Sequence, residues 1–160
     1  MTRRNVLALI ATSAWLGAAF PATNAVAQQA DIEGVKAASK AFYAALPALD
    51  GGAAMEKVWA HTSYVTYVGP RSKTITVGWD AQKKMWQEVD ALFSQRTVVL
   101  SEPYVHANGN LAWEMGNESG QLQMKNGTTV KVDYIVTNVY EKQPDGRWLM
   151  VSHHVQPKPQ

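Results

Sequence analysis

The sequence predicts an α+β domain, with helices first and an antiparallel sheet after them. Three observations carry this. Apolar residues recur at helical spacing in two stretches before Phe93, and from Arg96 onward the apolar period falls to two. Three dipeptides, Asn108-Gly109, Asn126-Gly127 and Asp145-Gly146, punctuate the β-rich half. Asn-Gly and Asp-Gly tolerate the positive φ that tight hairpins require, so each marks a chain reversal.

The first 27 residues stand apart. Arg3-Arg4 form a positive start, Val6 to Phe20 is apolar apart from Thr12 and Ser13, and Pro21 is placed to break a helix. Ala25-Val26-Ala27 then offers the small-x-small pattern of a cleavage site. These are the three parts of a secretory signal, and an apolar run of about 15 residues is short for a membrane span. Thr2-Arg3-Arg4-Asn5-Val6-Leu7 also resembles the twin-arginine export motif, while paired arginines occur in ordinary signals too. The expected product is a periplasmic or secreted domain, Gln28–Gln160, with no membrane attachment once the signal is gone.

The helices come next. Asp31–Leu46 places Ile32, Val35, Ser39, Phe42, Tyr43 and Leu46 on one stripe, with Lys36 and Lys40 off it and Pro47 as the stop. A short second helix is expected over Ala53–Ala60, turning Met55, Val58 and Trp59 inward. Ser63–Val68 and Thr74–Trp79 read as a strand pair. Asp80 is a plausible N-cap for a third helix to Phe93, with Met85, Trp86, Val89, Leu92 and Phe93 at helical spacing. Four strands follow: Thr97–His106, Leu111–Met124, Thr129–Lys142 and Arg147–Val155. The order α-α-β-β-α-β-β-β-β has no repeat and no linker, which makes one domain with helices on one face of a sheet.

Composition narrows the chemistry. The chain has no cysteine, which removes disulfides, a thiolate nucleophile and Cys-ligated metals. Fifteen basic residues face thirteen acidic ones, and the discarded segment carries two of the bases and none of the acids. The mature domain is therefore formally neutral and has no nucleic-acid footprint. His61, His106, His153 and His154 show no metal-ligand spacing, and no G-x-S-x-G elbow is present, so neither a metal nor another cofactor is expected.

Element order and three local patterns resemble the nuclear-transport-factor-2-like superfamily, especially its SnoaL-like and ketosteroid-isomerase-like branch. The patterns are Phe42-Tyr43-Ala44-Ala45-Leu46, Tyr64-Val65-Thr66-Tyr67-Val68-Gly69-Pro70 with Gly78, and Asp145-Gly146-Arg147-Trp148-Leu149-Met150-Val151-Ser152-His153-His154. The resemblance implies a cone: a strongly curved antiparallel sheet wrapped around three helices, with an apolar pocket at the open end. It also implies a homodimer through the outer face of the sheet. It does not fix one activity, since fold is not function. Laid on this sequence, the isomerase base falls on Tyr67, its phenol donor on Phe42 and its second acid on Val136. All three roles are lost, and ketosteroid isomerisation is not expected.

Strand parity proposes what stands in their place. If Tyr67 and Val65 face inward, Tyr64, Thr66 and Val68 face out; on the long strand Tyr134, Val136 and Asn138 share one face, which the resemblance places inward. His153 and His154 point to opposite faces unless a bulge intervenes. His154 matches the place where the family often carries histidine, so a proton-transfer site of His154 with Tyr67 is the expected chemistry. Phe42, Trp79, Trp86, Trp113, Tyr134, Asn138 and His153 are the expected ligand-binding residues, with Trp79 and Trp86 at the mouth. The leading reading is a small apolar organic ligand held in the cone, and the alternative is a non-catalytic association module working through its dimer face.

Overall fold

The computed structural model describes residues 21–159. The charged and apolar parts of the expected export signal lie outside them. Pro21 begins a helix rather than breaking one: α1 runs Pro21–Ala45, and proline is well tolerated in a first turn, where its missing N–H has no intrahelical partner. Residues 25–30 of α1 are exposed, and the Gln28 amide reaches back to the Ala107 carbonyl at 3.3 Å. Burial starts at Val35 and continues through Ser39 and Phe42 to Leu46, the expected stripe. Pro47 sits in a 3-10 turn, Leu46–Ala48, that closes the helix, and Leu49 turns the chain away with φ 49°.

The expected second helix is a single 3-10 turn, Met55–Lys57. The backbone after it has another use. Trp59 bridges Met150 in parallel, with Met150 N–H bonded to the Val58 carbonyl at 3.0 Å and Ala60 N–H to the Met150 carbonyl at 2.9 Å. Pairing with a strand competes with helical hydrogen bonding for the same groups, and here the strand wins. Met55, Val58 and Trp59 still turn inward.

The next helix, α2, spans Trp79–Asp90. Its N-cap is Gly78, at φ 86°, rather than Asp80; Asp80 lies in the first turn, where a carboxylate favours the helix dipole. Gln82, Trp86 and Asp90 form its buried face. Among the described residues there are thus two α-helices and two 3-10 turns, not three helices.

Six strands form one curved sheet: β1 Thr66–Val68, β2 Thr76–Val77, β3 Phe93–Asn108, β4 Leu111–Met124, β5 Thr129–Lys142 and β6 Trp148–Pro157. Their order is β2-β1-β6-β5-β4-β3. The bounds of β4 and β5 are those the sequence predicts, and Phe93, expected to end a helix, opens β3. One pairing departs from the antiparallel expectation. β1 runs parallel to β6, with Tyr67 opposite His153, because an early strand has joined the last one across the whole intervening chain. The β3–β4 reversal is the two-residue turn Gly109-Asn110, and glycine supplies its φ of 62°.

Irregularities bend the sheet. β3 slips register between Ser101 and Tyr104, with Glu102 at φ 52°, and such bulges increase local twist. On β4, Gly120 has φ 144°, and a Cβ there would lie 2.0 Å from the Thr97 carbonyl oxygen. No side chain fits. α1 and the Met55–Ala60 segment pack on the inner face against Ala107, Ala112, Tyr140 and Met150.

Candidate functional site

Where α1 ends and α2 packs over the sheet, a cavity of about 400 Å³ remains. Phe42, Leu46, Met85 and Trp86 supply apolar wall from the helices, and Tyr67, Arg96, Glu118, Tyr134 and His153 line it from the sheet. Gly69 to Ser72, leaving β1, form part of the rim.

Which histidine reaches the cavity is decided by one residue. Tyr140 pairs with Met150 but Val139 pairs with Ser152, so Val151 is an extra residue on β6. An uninterrupted strand with Trp148 and Met150 inward would also turn Ser152 and His154 inward. The bulge reverses that parity. His153 is 5% exposed and lines the cavity, while His154 is exposed. The expected His154 role is therefore corrected: its ring is on the far side of the sheet from Tyr67.

Tyr67 and His153 stack, with ring centroids 5.3 Å apart at 16°. Trp86 meets Tyr67 edge-on at 5.3 Å, and Phe42 lies 5.2 Å from the imidazole. Tyr67's hydroxyl is tucked beside Gly69, where a Cβ would come within 2.9 Å of it. Phe42, Tyr67, Trp86, Tyr134 and His153 thus all line the one cavity, with Trp86 buried rather than at the mouth. Asn138 stands behind them as the imidazole's partner. Two of the expected residues are elsewhere. Trp79 stacks on His61 at 4.3 Å and is not part of the wall. Trp113 is 38% exposed on the outer face, beside His106 at 4.3 Å, because on β4 the residues turned inward are Ala112 and Glu114.

Two glutamates on that inward face were not anticipated. Glu114 Oε2 accepts hydrogen bonds from Ser39 at 2.8 Å, Asn138 Nδ2 at 3.0 Å and the Tyr140 hydroxyl at 3.1 Å. Asn138 Nδ2 also lies 3.4 Å from the Tyr43 hydroxyl, which donates to Glu118 Oε1 at 2.8 Å. Because Asn138 donates through Nδ2, its Oδ1 is the acceptor facing His153 Nδ1, 2.8 Å away. The network therefore assigns the imidazole proton to Nδ1 and leaves Nε2 with its lone pair. The sequence signal for the glutamates was their phase: both alternate with Ala112 on a strand whose opposite face holds Trp113 and Met115.

Burial tunes these groups. It holds the His153 imidazolium down to about 3, with His154 a smaller contribution, so the ring is neutral at ordinary pH. It pushes Glu118 up to about 7 despite the opposing hydrogen bond from Tyr43, and Tyr67 up to about 12. The site thus offers a hydrogen-bond acceptor at His153, a donor at Tyr67 and a carboxyl that exchanges its proton near neutrality at Glu118. Proton exchange near pH 7, first sought at a histidine, belongs to the acid. Among the described residues no cluster of His, Asp and Glu is placed to hold a metal ion.

Comparison with known proteins agrees with this fold. A dehydratase of the NTF2-like family from Streptomyces avermitilis, so assigned provisionally, is similar with 23% identity and a TM-score of 0.71 over 82% of this chain and 99% of that one. A ketosteroid isomerase-like protein from Erwinia carotovora atroseptica has 17% identity and a TM-score of 0.68 over 81% and 98%. A provisionally assigned calcium/calmodulin-dependent protein kinase II association domain from Xanthomonas campestris has 22% identity and a TM-score of 0.67 over 79% and 86%. No curated protein matches the sequence. Residues 35–156 match the model of the SnoaL-like domain, and on that match, over most of its length, the chain belongs to the SnoaL-like domain family.

Proposed function

We propose that this protein binds a small, largely apolar organic molecule in the cavity and moves a proton on it through Glu118. The carrying observation is a cavity of about 400 Å³ walled by aromatic and aliphatic side chains, with a few convergent polar groups. Tyr67 donates a hydrogen bond to the ligand, His153 Nε2 accepts one, and Asn138 keeps the imidazole in the tautomer that does so. Relatives named as a dehydratase and as ketosteroid isomerase-like are consistent with proton-transfer chemistry in this fold. The test is a thermal-shift screen of apolar and aromatic compounds against wild type, Tyr67→Phe, His153→Asn and Glu118→Gln. A compound that raises the melting temperature of wild type more than that of the variants supports the site. Identical responses in all four proteins remove it.

The dimer reading rests on a different surface. Val99, Tyr104, Trp113 and Met115 are exposed on the outer face of β3 and β4, and the register sets Tyr104 opposite Met115. A second copy covering this face would bury them. Light scattering after size exclusion is expected to give a dimer at micromolar concentration, and Trp113→Glu a monomer; a monomeric wild type ends this reading. Export is proposed on the Met1–Ala27 pattern and the exposure of residues 25–30. A periplasmic product starting at Gln28 supports it, and an uncleaved cytoplasmic chain overturns it.

A further inference from the structure

The cavity wall carries a cation that the binding reading leaves unused. Arg96 is 4% exposed and lines the cavity. Its guanidinium lies between the Trp86 and Phe93 rings, 5.6 and 5.5 Å from their centroids. One nitrogen, Nη2, is bonded to Asp90 Oδ1, and Asp90 Oδ2 accepts Gly52 N–H at 3.1 Å. Arginine has five N–H donors in a rigid fork, and among the described residues Asp90 is the one side chain that takes a hydrogen bond from this fork. The aromatic rings fix its plane and offer no acceptor atom.

Arg71 lies on the exposed rim and also lines the cavity. Asp90 balances the charge of Arg96 from behind, so what Arg96 offers the cavity is its remaining N–H donors, and Arg71 supplies the positive charge that is unpaired among the described residues. Arg96 pairs with Leu122, four residues beyond Glu118, or about 13 Å of strand at ~3.3 Å per residue. Its guanidinium and the Tyr67 ring meet the same Trp86 ring, at 5.6 and 5.3 Å, and its charge partly offsets the burial that raises Tyr67. The wall therefore runs from the Arg96 and Tyr67 donors to Glu118, with apolar surface at Met85, Val89 and Leu122.

We infer that the ligand is an apolar or aromatic molecule bearing one carboxylate, which the Arg96 fork receives while its body lies along the apolar wall toward Glu118. This inference rests on the cavity being the ligand site. It commits the substrate class to organic monoacids rather than neutral hydrocarbons, alcohols or ketones. Arg71 adds attraction at the rim, and the planar guanidinium suits a carboxylate's paired oxygens.

Isothermal titration with a matched pair tests it: 1-naphthylacetate and 1-naphthylacetamide, which share one apolar body, against the full-length mature protein at neutral pH. Wild type is expected to bind the acid about tenfold or more tightly than the amide, the scale of a charge-assisted, two-pronged hydrogen bond. Removing Arg96 alone strands a buried Asp90, so the informative variant replaces the pair: Asp90→Asn with Arg96→Gln keeps an acceptor for Gly52 and neutralises both partners. In that variant the preference is expected to fall below about threefold, with most of the loss in affinity for the acid. A wild type that binds both probes equally overturns the carboxylate inference and leaves the cavity reading standing. So does a neutral-pair variant that keeps the full preference. If neither probe binds and the thermal-shift screen also finds no stabilising compound, the cavity reading falls and takes this inference with it.

Discussion

Glu114 and Glu118 lie four residues apart on the same face of one strand, and they sit in opposite circumstances. Glu114 is surrounded: a serine, an asparagine and a tyrosine all donate to one of its oxygens, and it is not part of the lining of the cavity of about 400 Å³. Glu118 has one phenolic donor and an open wall beside it. Both are buried, so burial does not separate them. The number of donors does. A carboxyl whose acceptor sites are filled by its own protein has become part of the framework, and one that is underserved is left with chemistry to offer.

The strongest way to break this comparison is at Glu114. Glu114→Ala would remove the acceptor that Ser39 and Tyr140 use in a closed interior and leave Asn138 Nδ2 with only its long contact to the Tyr43 hydroxyl. A loss of about 3 kcal/mol is expected in chemical denaturation. A loss below about 1 kcal/mol would mean that the cluster is not a structural unit.

Tyr43→Phe probes the link between the two environments. It removes Glu118's single donor and is expected to cost about 1 kcal/mol. Since that hydrogen bond favours the ionised carboxyl, its removal should move Glu118's titration above the wild-type position near 7 in carboxyl-labelled NMR. An unchanged or lowered midpoint would contradict the assignment of Tyr43 as donor.

The subtlest test uses pH. Glu118 titrates higher folded than unfolded, so its contribution is full below the ordinary carboxylate range and declines as pH rises from about 4.5 to about 7. His153 titrates lower folded, so its contribution is full above about 6.5 and declines as pH falls toward about 3. Over the shared window, about 4.5 to 6.5, the two slopes oppose each other. Melting temperatures should therefore rise with pH in Glu118→Gln and fall with pH in His153→Asn, with wild type flatter than either. Parallel profiles in all three would show that these groups do not hold their shifted values.

Much of the fold was legible in the sequence because period and turn chemistry are local. The bounds of β4 and β5 follow from the apolar period and the Asn-Gly dipeptides that end in hairpins. That Tyr134, Val136 and Asn138 share a face follows from alternation along an uninterrupted strand; which face is inward comes from the resemblance. Where the reading erred, the cause was not local. Met55–Ala60 has helical spacing, but its backbone is claimed by Met150, ninety positions or so away. Trp113 looks like a core residue, yet β4 turns its large apolar side chains outward and its acids inward, against the usual order. Glu114 and Glu118 were passed over for that reason: nothing on their own strand shows that Ser39 and Tyr43 will arrive from α1. His154 matches the place where the resemblance implies a histidine, and the one-residue bulge that turns His153 inward instead leaves no mark in composition or spacing.

That bulge at Val151 also bears on how this strand tolerates change in length. Downstream of it, Ser152 points out and His153 in; if Val151 were absent, Met150 would be followed directly by Ser152, and the same alternation would hold in a straight strand. The surplus residue behaves as slack taken up at one point. Loss of that residue would be absorbed where it occurs, and the ring offered to Tyr67 would stay the same.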